Sequence, residues 1–413
     1  MLHAGVPNWR VSLVVLWSAN FLAALGMMIL LPYFPLFLRE LGVREGRSLT
    51  VWAGVIVGAA PFSAAIMGGI WGAVGDRIGR RAMVLRALLG VAVFVGLMGF
   101  ARSPVELLLL RFCQGMFSGF FAPTLTLLSV MAPLEYQART SGWLQSAFLA
   151  GGVVGPGIGG LLATTLGFSA LVWTCAALAL LAALAVRCLV PEPPREAPAE
   201  QRTEGERIFH LALRVLRGIF FDLRQILSNR MLQALFLAMF LVRVASAAPN
   251  PTLILFVERL LGEVSAHSSH VASAVFTAYP VAVLLAIPFW STISDRSSPA
   301  RVLLLCIGGA FLCMLGQCFI RTPFQLGLLR FGTGAFVSGV LPAGFVMVAR
   351  ASDRAKRGGA TGLAFSALAF GLCAGPWLAS LVDGLFGYRA LLALCTLLLL
   401  LALIRVRFPR LQT

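Results

Sequence analysis

Two copies of a short charged turn are the first residues in this chain whose types and spacing suggest a function. The first copy is Gly72-x-x-Gly75-Asp76-Arg77-x-Gly79-Arg80-Arg81, and the second, Ser291-x-x-Ser294-Asp295-Arg296, follows about 219 residues later. An aspartate at such a turn can accept hydrogen bonds from the free amides at the start of a neighbouring helix. The contact exists only when two surfaces meet, so the turn is suited to a conformational latch.

Both halves of the chain supply members to this predicted latch. We expect Asp76 to cap the helix that starts near residues 358–361, and Arg77 or Arg80 to pair with Glu135. The alternative is a hydrophilic loop whose surface ion pairs contribute little to stability. The predicted latch residues are Gly72, Asp76, Arg77, Gly79, Arg80, Arg81, Glu135, Asp295, Arg296 and Asp353.

Arginines within apolar runs are the second group of candidates. Arg111 and Arg330 occupy matching positions in the two copies, and Arg243 lies near the middle of another apolar run. A charge inside a membrane normally faces a cavity or a partner, and three guanidiniums would favour an anionic or zwitterionic substrate. Alternatively, Arg111 and Arg330 are structural and bond backbone carbonyls within their own halves. The predicted cavity residues are Asn20, Arg111, Gln114, Arg243, Tyr279 and Arg330, with the 30 Phe residues available as an apolar wall.

All 16 acidic residues fall in loops or near the ends of apolar runs. The sequence therefore predicts no carboxylate at the centre of a membrane, where a proton and a cationic substrate would compete for it. Any proton coupling would have to use Asp76, Glu40, Glu106, Glu258 or a histidine, or else be absent.

A glycine-proline pattern indicates close packing between helices. Gly151, Gly155 and Gly159 recur four residues apart, which places them on one helix face and permits close backbone contact. Pro156 adds a kink because it lacks an amide hydrogen and clashes with the preceding turn. Ordinary small-residue packing is the alternative. The predicted packing and hinge residues are Gly142, Gly151, Gly155, Pro156, Gly159, Gly160, Gly375 and Pro376.

The elements that must hold these residues are membrane-spanning helices. The chain is 59% hydrophobic and 12% charged, and its apolar runs are long enough to cross a bilayer as helices of about 20 residues. Together they predict an all-α fold of two six-helix bundles, at 1–188 and 230–413, related by pseudo-two-fold symmetry. Segment 189–229 is a predicted cytoplasmic linker with an amphipathic helix over 207–227 that lies on the membrane. The predicted spans are 11–38, 50–73, 82–101, 105–131, 142–165, 168–188, 230–257, 269–292, 301–320, 324–349, 359–382 and 389–406.

The net charge of +17 has a membrane explanation. If both termini are cytoplasmic, most of the 33 Lys and Arg residues fall in cytoplasmic segments, as the positive-inside rule expects, so we expect no nucleic-acid partner. The first apolar run is too long for a signal peptide and should remain as a span. The 8 cysteines show no metal-ligand pairing, and no Gly-x-x-x-x-Gly-Lys-Ser/Thr loop exists. We expect no metal, cofactor, enzyme activity or ATP-driven pumping.

These motifs resemble the major facilitator superfamily, and within it the twelve-span drug:proton antiporters. Gly72–Arg81 is similar to the family's loop signature, Leu107-x-x-x-Arg111-x-x-Gln114-Gly115 to its fourth-span motif, and Gly142–Gly160 to its antiporter motif. The resemblance implies a monomeric bacterial inner-membrane exporter of an amphipathic small molecule. It would work by alternating access and be driven by protons, with spans 1, 4, 7 and 10 around the cavity. The alternatives are an exporter or facilitator of an organic anion, such as a siderophore-like carboxylate or a lysolipid, and a non-transporting receptor or scaffold.

Overall fold

Helices make up nearly all of the residues that the computed structural model describes, which are 9–44, 46–133, 136–193, 229–262, 264–352 and 357–407. These ranges contain no strand, and twelve of their helical segments are long and apolar enough to cross a membrane. The predicted all-helical membrane fold is confirmed. The helices are α1 (Trp9–Leu30), α2 (Phe34–Glu40), α3 (Arg47–Ile78), α4 (Arg80–Met98), α5 (Pro104–Phe117), α6 (Phe121–Met131), α7 (Gln137–Leu189), α8 (Arg230–Ala247), α9 (Leu253–Leu261), α10 (Ala266–Arg296), α11 (Pro299–Gln317), α12 (Pro323–Ala351), α13 (Arg357–Phe386) and α14 (Tyr388–Arg407), with a 3-10 turn over Leu31–Tyr33.

The spans are numbered 1 to 12 along the chain. Span 1 is α1 with α2, span 4 is α5 with α6, span 7 is α8 continued by α9, and α7 supplies both span 5 and span 6. Gly167 separates spans 5 and 6 with φ 78°, and Gly387 separates spans 11 and 12 with φ 84°. A side chain is strained in this left-handed region, so glycine is the residue that permits both sharp reversals.

Three of the twelve spans contain a break in the helix. Span 1 is interrupted after Leu30, span 4 at Ser118–Phe120, and span 7 between Ala247 and Leu253. Prolines in spans 1 and 7 remove amide donors from the helix, and Gly119 in span 4 takes φ 99°. The predicted spans 11–38 and 105–131 correspond to Trp9–Glu40 and Pro104–Met131, whereas the long apolar helix of span 7 ends at Ala247, before the predicted boundary at residue 257. The predicted amphipathic helix over 207–227 lies outside the described residues.

The repeat seen in the sequence is also present in side-chain contacts. The indole nitrogen of Trp71 donates to the carbonyl of Met116 over 2.7 Å, and that of Trp290 donates to the carbonyl of Ala335 over 2.7 Å. Each bond ties the second span of a half to its fourth. Both partners are shifted by the same number of residues, so the two halves use the same internal construction.

The apolar core joins the halves at one side of the bundle. We call the side that holds Trp9 and Arg407 the terminal face, and the side that holds Glu40 and Arg47 the distal face. One cluster of buried residues includes Phe37 and Leu38 of the first half together with Ile254 and Val257 of the second. A separate cluster near the terminal face contains first-half residues alone, and its members include Leu16, Leu88, Leu127, Leu144 and Val186.

Candidate functional site

The glycine motif of span 5 packs its backbone directly against span 1. A methyl group added at Gly151 would lie 2.7 Å from the amide nitrogen of Leu25, and one at Gly155 would lie 2.6 Å from Cβ of Met28. These distances are shorter than real carbon contacts, so only glycine fits. Apart from the backbone of its own helix, a methyl group added at Gly142 would have no neighbouring atom within 4 Å among the described residues. This member of the predicted set therefore takes no part in the contact between spans 1 and 5.

Span 11 repeats this arrangement against span 7. A methyl group at Gly371 would lie 2.8 Å from Cβ of Arg243, and one at Gly375 would lie 2.9 Å from Cβ of Ala247. The motif therefore joins the fifth span of each half to its first. The hinge role of Pro156 and Pro376 remains a prediction, although both prolines do lie inside helices.

Residues beside the same motif also meet the opposite half. The hydroxyl of Tyr33 shares a hydrogen bond with Ser273 of span 8, and it donates to the carbonyl of Pro156 over 3.2 Å. A methyl group at Gly54 of span 2 would lie 2.6 Å from Cβ of Ser380 in span 11. Small residues thus let the halves approach closely in the distal part of the bundle.

An ion pair at the distal face also crosses between the halves. Arg39 donates to both carboxylate oxygens of Glu258, over 3.0 Å to Oε1 and 2.6 Å to Oε2. Asp383 lies 3.9 Å from the exposed Arg259, and both Glu258 and Asp383 are buried. Both carboxylates lie near the ends of their helices, as the sequence predicts, and α9 and α13 carry them into the packed distal region.

Arg111 and Arg330 are each buried within their own half. Arg111 donates to Oε1 of Gln114 over 2.6 Å and lies 5.0 Å from the ring of Phe34. Arg330 donates to Oδ1 of Asn250 over 2.7 Å. Because these partners are all side chains of the same half, the geometry favours the structural alternative for both arginines. The bonds run to side-chain amides, whereas the sequence suggests backbone carbonyls.

The other predicted cavity residues divide into two groups. Asn20 is buried, and its amide donates to the carbonyl of Leu16 one turn earlier in the same helix. Arg243 and Tyr279 are half-buried, on spans 7 and 8. Arg243 has no basic counterpart, since Ala24 occupies the matching position of span 1. Among the three candidate arginines, Arg243 is the least buried.

The latch region is described in part. Gly79 ends α3 with φ 117°, which supports the predicted tight turn. Arg80 donates to the carbonyl of Thr126 over 3.2 Å, and the amide of Arg81 lies 3.4 Å from Glu192. The side chains of Asp76, Arg77 and Asp295 lie outside the described residues, as do Glu135 and Asp353 entirely. Their pairing stays a prediction.

The fold and site define a class of protein, namely a membrane transporter with two repeated halves. The chain belongs to the Major Facilitator Superfamily, whose family model matches residues 16–262 and 235–412. It is therefore a secondary transporter of a small molecule and not an enzyme.

Relatives of known name support the same class. The multidrug resistance protein MdtG of Yersinia enterocolitica is 27% identical over 95% of this chain and 91% of its own. MdtG of Escherichia fergusonii is 28% identical over 93% and 90%. A bacterial homologue of the human lysosomal transporter Spinster, solved in an inward-facing, unoccupied conformation, has a TM-score of 0.76 at 14% identity, covering 98% of this chain and 97% of its own. The human organic anion transporter MFSD10 has a TM-score of 0.65 at 19% identity, covering 97% and 100%. Because both structures are so distant in sequence, they support the fold alone.

Proposed function

We propose that this protein exports an amphipathic small molecule across the bacterial inner membrane by alternating access, with protons entering in exchange. The carrying observation is that the two halves meet through the distal contacts while the first half keeps a separate core at the terminal face. Such a one-sided closure is one of the two states that alternating access requires. The multidrug resistance proteins among the relatives support export as the direction.

The charge distribution supports an orientation for this state. Arg80, Arg81 and Arg407 lie at the terminal face, together with most of the other basic residues that the structure describes. By the positive-inside rule, this face and both termini belong in the cytoplasm. The structure then corresponds to a transporter closed on the outside, ready to receive a substrate from the cytoplasm or the inner leaflet.

Transport in liposomes tests the proposed function. Purified protein is reconstituted with a cationic and an anionic amphipathic probe, and a pH gradient and a voltage are imposed separately. Proton antiport predicts probe export that follows the pH gradient and a matching proton flux in the opposite direction. If no probe moves under either gradient, the exporter assignment fails and the scaffold alternative gains support.

An organic anion is the second candidate substrate. The half-buried Arg243, without a basic mate, favours a ligand that carries one acidic group and a large apolar part. Selective movement of the anionic probe in the same liposomes would support this candidate. Export of the cationic probe driven by inward protons would exclude it.

Arg243→Ala should reduce transport of an anionic probe by roughly tenfold, because it removes a charge-assisted contact of about 1.5–3 kcal/mol. Initial rates at several probe concentrations would show the loss as a raised KM. Arg321→Ala, which alters an exposed arginine outside the spans, is the control and should transport normally. Unchanged handling of every probe by Arg243→Ala would remove this residue from the proposed cavity.

Asp76→Asn should slow transport by roughly tenfold, because a helix cap that uses a charged carboxylate contributes about 1–2 kcal/mol to one state of the cycle. Asp295→Asn should slow it less, since the second turn lacks the full motif. Transport rates per folded molecule in liposomes provide the measurement. Equal rates for wild type and Asp76→Asn would reduce the proposed latch to a surface loop.

A further inference from the structure

Arg39 and Glu258 occupy matching positions in the two repeated halves, and we call such residues repeat mates. They lie 219 residues apart, which is also the spacing between the two Asp-Arg turns. Mates in the two halves lie at the same depth on opposite sides of the pseudo-two-fold axis, so they touch only where that axis passes between them. The ion pair therefore marks the centre of the distal closure.

The two positions carry opposite charges because the sequence is inverted at this point. The first half reads Arg39-Glu40 where the second half reads Glu258-Arg259. The Arg39 side chain is 19% exposed and that of Glu258 is 4% exposed, so the pair is largely withdrawn from water. Removing one partner of such a pair abolishes an ion pair that is largely withdrawn from water, which is strongly unfavourable.

A cavity reaches the pair from the distal face. It has a volume of about 280 Å³ and is lined by both Arg39 and Glu258 together with Gly46, Leu49, Leu255, Arg259, Gly262 and the exposed Val264. Other charged groups surround this region, namely Arg259 on the same helix, Asp383 on span 11, Arg47 on span 2 and Glu40 on span 1, while His267 and His270 at the start of span 8 are exposed. Water and protons from outside therefore have a route to the Glu258 carboxylate.

We propose that Arg39 and Glu258 form the distal gate of the transport cycle, and that Glu258 binds an outside proton that opens it. This inference rests on the proposed alternating access. A proton added to the carboxylate cancels the charge of Glu258, so the ion pair is lost and the closed state loses its central cross-half bond. The proton remains on the carboxyl oxygen while the halves separate, and no other bond is made or broken.

The test measures how readily the distal closure opens. Ser380 is 3% exposed and packs against Gly54 of the other half, so Ser380→Cys gives a thiol that is covered only while the gate is closed. A membrane-impermeant maleimide is added outside intact cells. Val264→Cys, at a position 67% exposed near the distal face, reports the labelling rate of a thiol that is always accessible. The chain without an introduced cysteine gives the background of the native thiols.

Charge variants then test whether the ion pair between Arg39 and Glu258 keeps the gate closed. Glu258→Gln and Arg39→Gln should each raise labelling of the Ser380→Cys thiol by about tenfold or more relative to that of Val264→Cys. The exchanged pair Arg39→Glu with Glu258→Arg should restore slow labelling, since it rebuilds the contact in reverse. Arg321→Gln is the matched control, because Arg321 is exposed and does not line this cavity, and it should leave labelling unchanged. Slow labelling in both single variants, or fast labelling in the exchanged pair, would overturn the gate.

The dependence of thiol labelling on the outside pH tests whether Glu258 binds the proton that opens the gate. Lowering the outside pH from about 8 to about 5 should raise relative labelling in the wild-type background, if proton uptake by the carboxylate opens the gate. Glu258→Gln should label fast at every pH, because it resembles the protonated form. A wild-type response that persists in Glu258→Gln would assign the proton to another group and overturn that part of the proposal. Labelling needs no substrate, so a gate that responds in a protein that exports no probe would refute the proposed function alone.

Discussion

Gly155→Ala should lower the yield of folded protein and its thermal unfolding temperature far more than Gly142→Ala. The added methyl group at residue 155 would lie 2.6 Å from Cβ of Met28 and 3.0 Å from the amide of Ile29, and backbone cannot move aside cheaply. Overpacking of this kind costs about 1–3 kcal/mol, and the pivot between spans 1 and 5 would be lost with it. At Gly142 the methyl group enters open space, where alanine favours the helix by roughly 1 kcal/mol.

The two variants can be compared by size-exclusion yield and thermal melting in one detergent. Gly375→Ala should behave like Gly155→Ala, because its methyl group would lie 2.9 Å from Cβ of Ala247 and from the amide of Ala248. Equal melting temperatures for Gly155→Ala and Gly142→Ala would show that spans 1 and 5 separate without penalty, contrary to the structure.

Asn250→Ala should destabilise the second half by about 2 kcal/mol, because it removes the amide oxygen that accepts from the buried Arg330. The guanidinium would then lie near the rings of Phe276 and Tyr279, each 6.0 Å away, and would keep its hydrogen bond with Tyr388 but lose the amide oxygen of Asn250. Adding Arg330→Met to Asn250→Ala should recover part of the loss, since a flexible apolar side chain then replaces a buried charge that has lost a partner. Melting temperatures of the two single variants and the double variant form the measurement.

The same series decides between a structural and a substrate role for Arg330. A structural role predicts that Arg330→Met lowers the melting temperature but leaves probe selectivity unchanged in liposomes. If Arg330→Met instead melts like wild type and fails to transport the anionic probe, Arg330 belongs to the substrate site.

The sequence predicts the architecture well because membrane helices are recognisable from long apolar runs. The apolar runs do not show where a helix breaks inside a span, because single prolines and glycines decide that. Pro32 and Pro251, which are repeat mates, accompany the breaks in spans 1 and 7, and Gly119 allows the break in span 4. Hydropathy does not register these residues, since a few prolines or glycines barely alter the mean of a window of about 19 residues.

The candidate site is predictable only where spacing carries the information. Glycines four residues apart indicate the close contact between spans 1 and 5, and the structure places Gly151, Gly155 and Gly159 there. The bond between Tyr33 and Ser273 leaves no such pattern, because it depends on which face of the bundle closes. The pair of Arg39 and Glu258 did leave a signal, namely opposite charges at the repeat spacing. This signal is easily missed, because the two matching positions hold residues of opposite charge and not similar residues.

The inverted charges at the distal closure also bear on how the chain arose. In a dimer of two identical halves, the same axis would bring Arg39 against a second Arg39, or Glu258 against a second Glu258, and like charges would repel in a region largely withdrawn from water. The present contact requires two unlike halves. Divergence of the two copies therefore came before this bond, and the exchange of Arg-Glu for Glu-Arg produced a contact that two identical halves could not make.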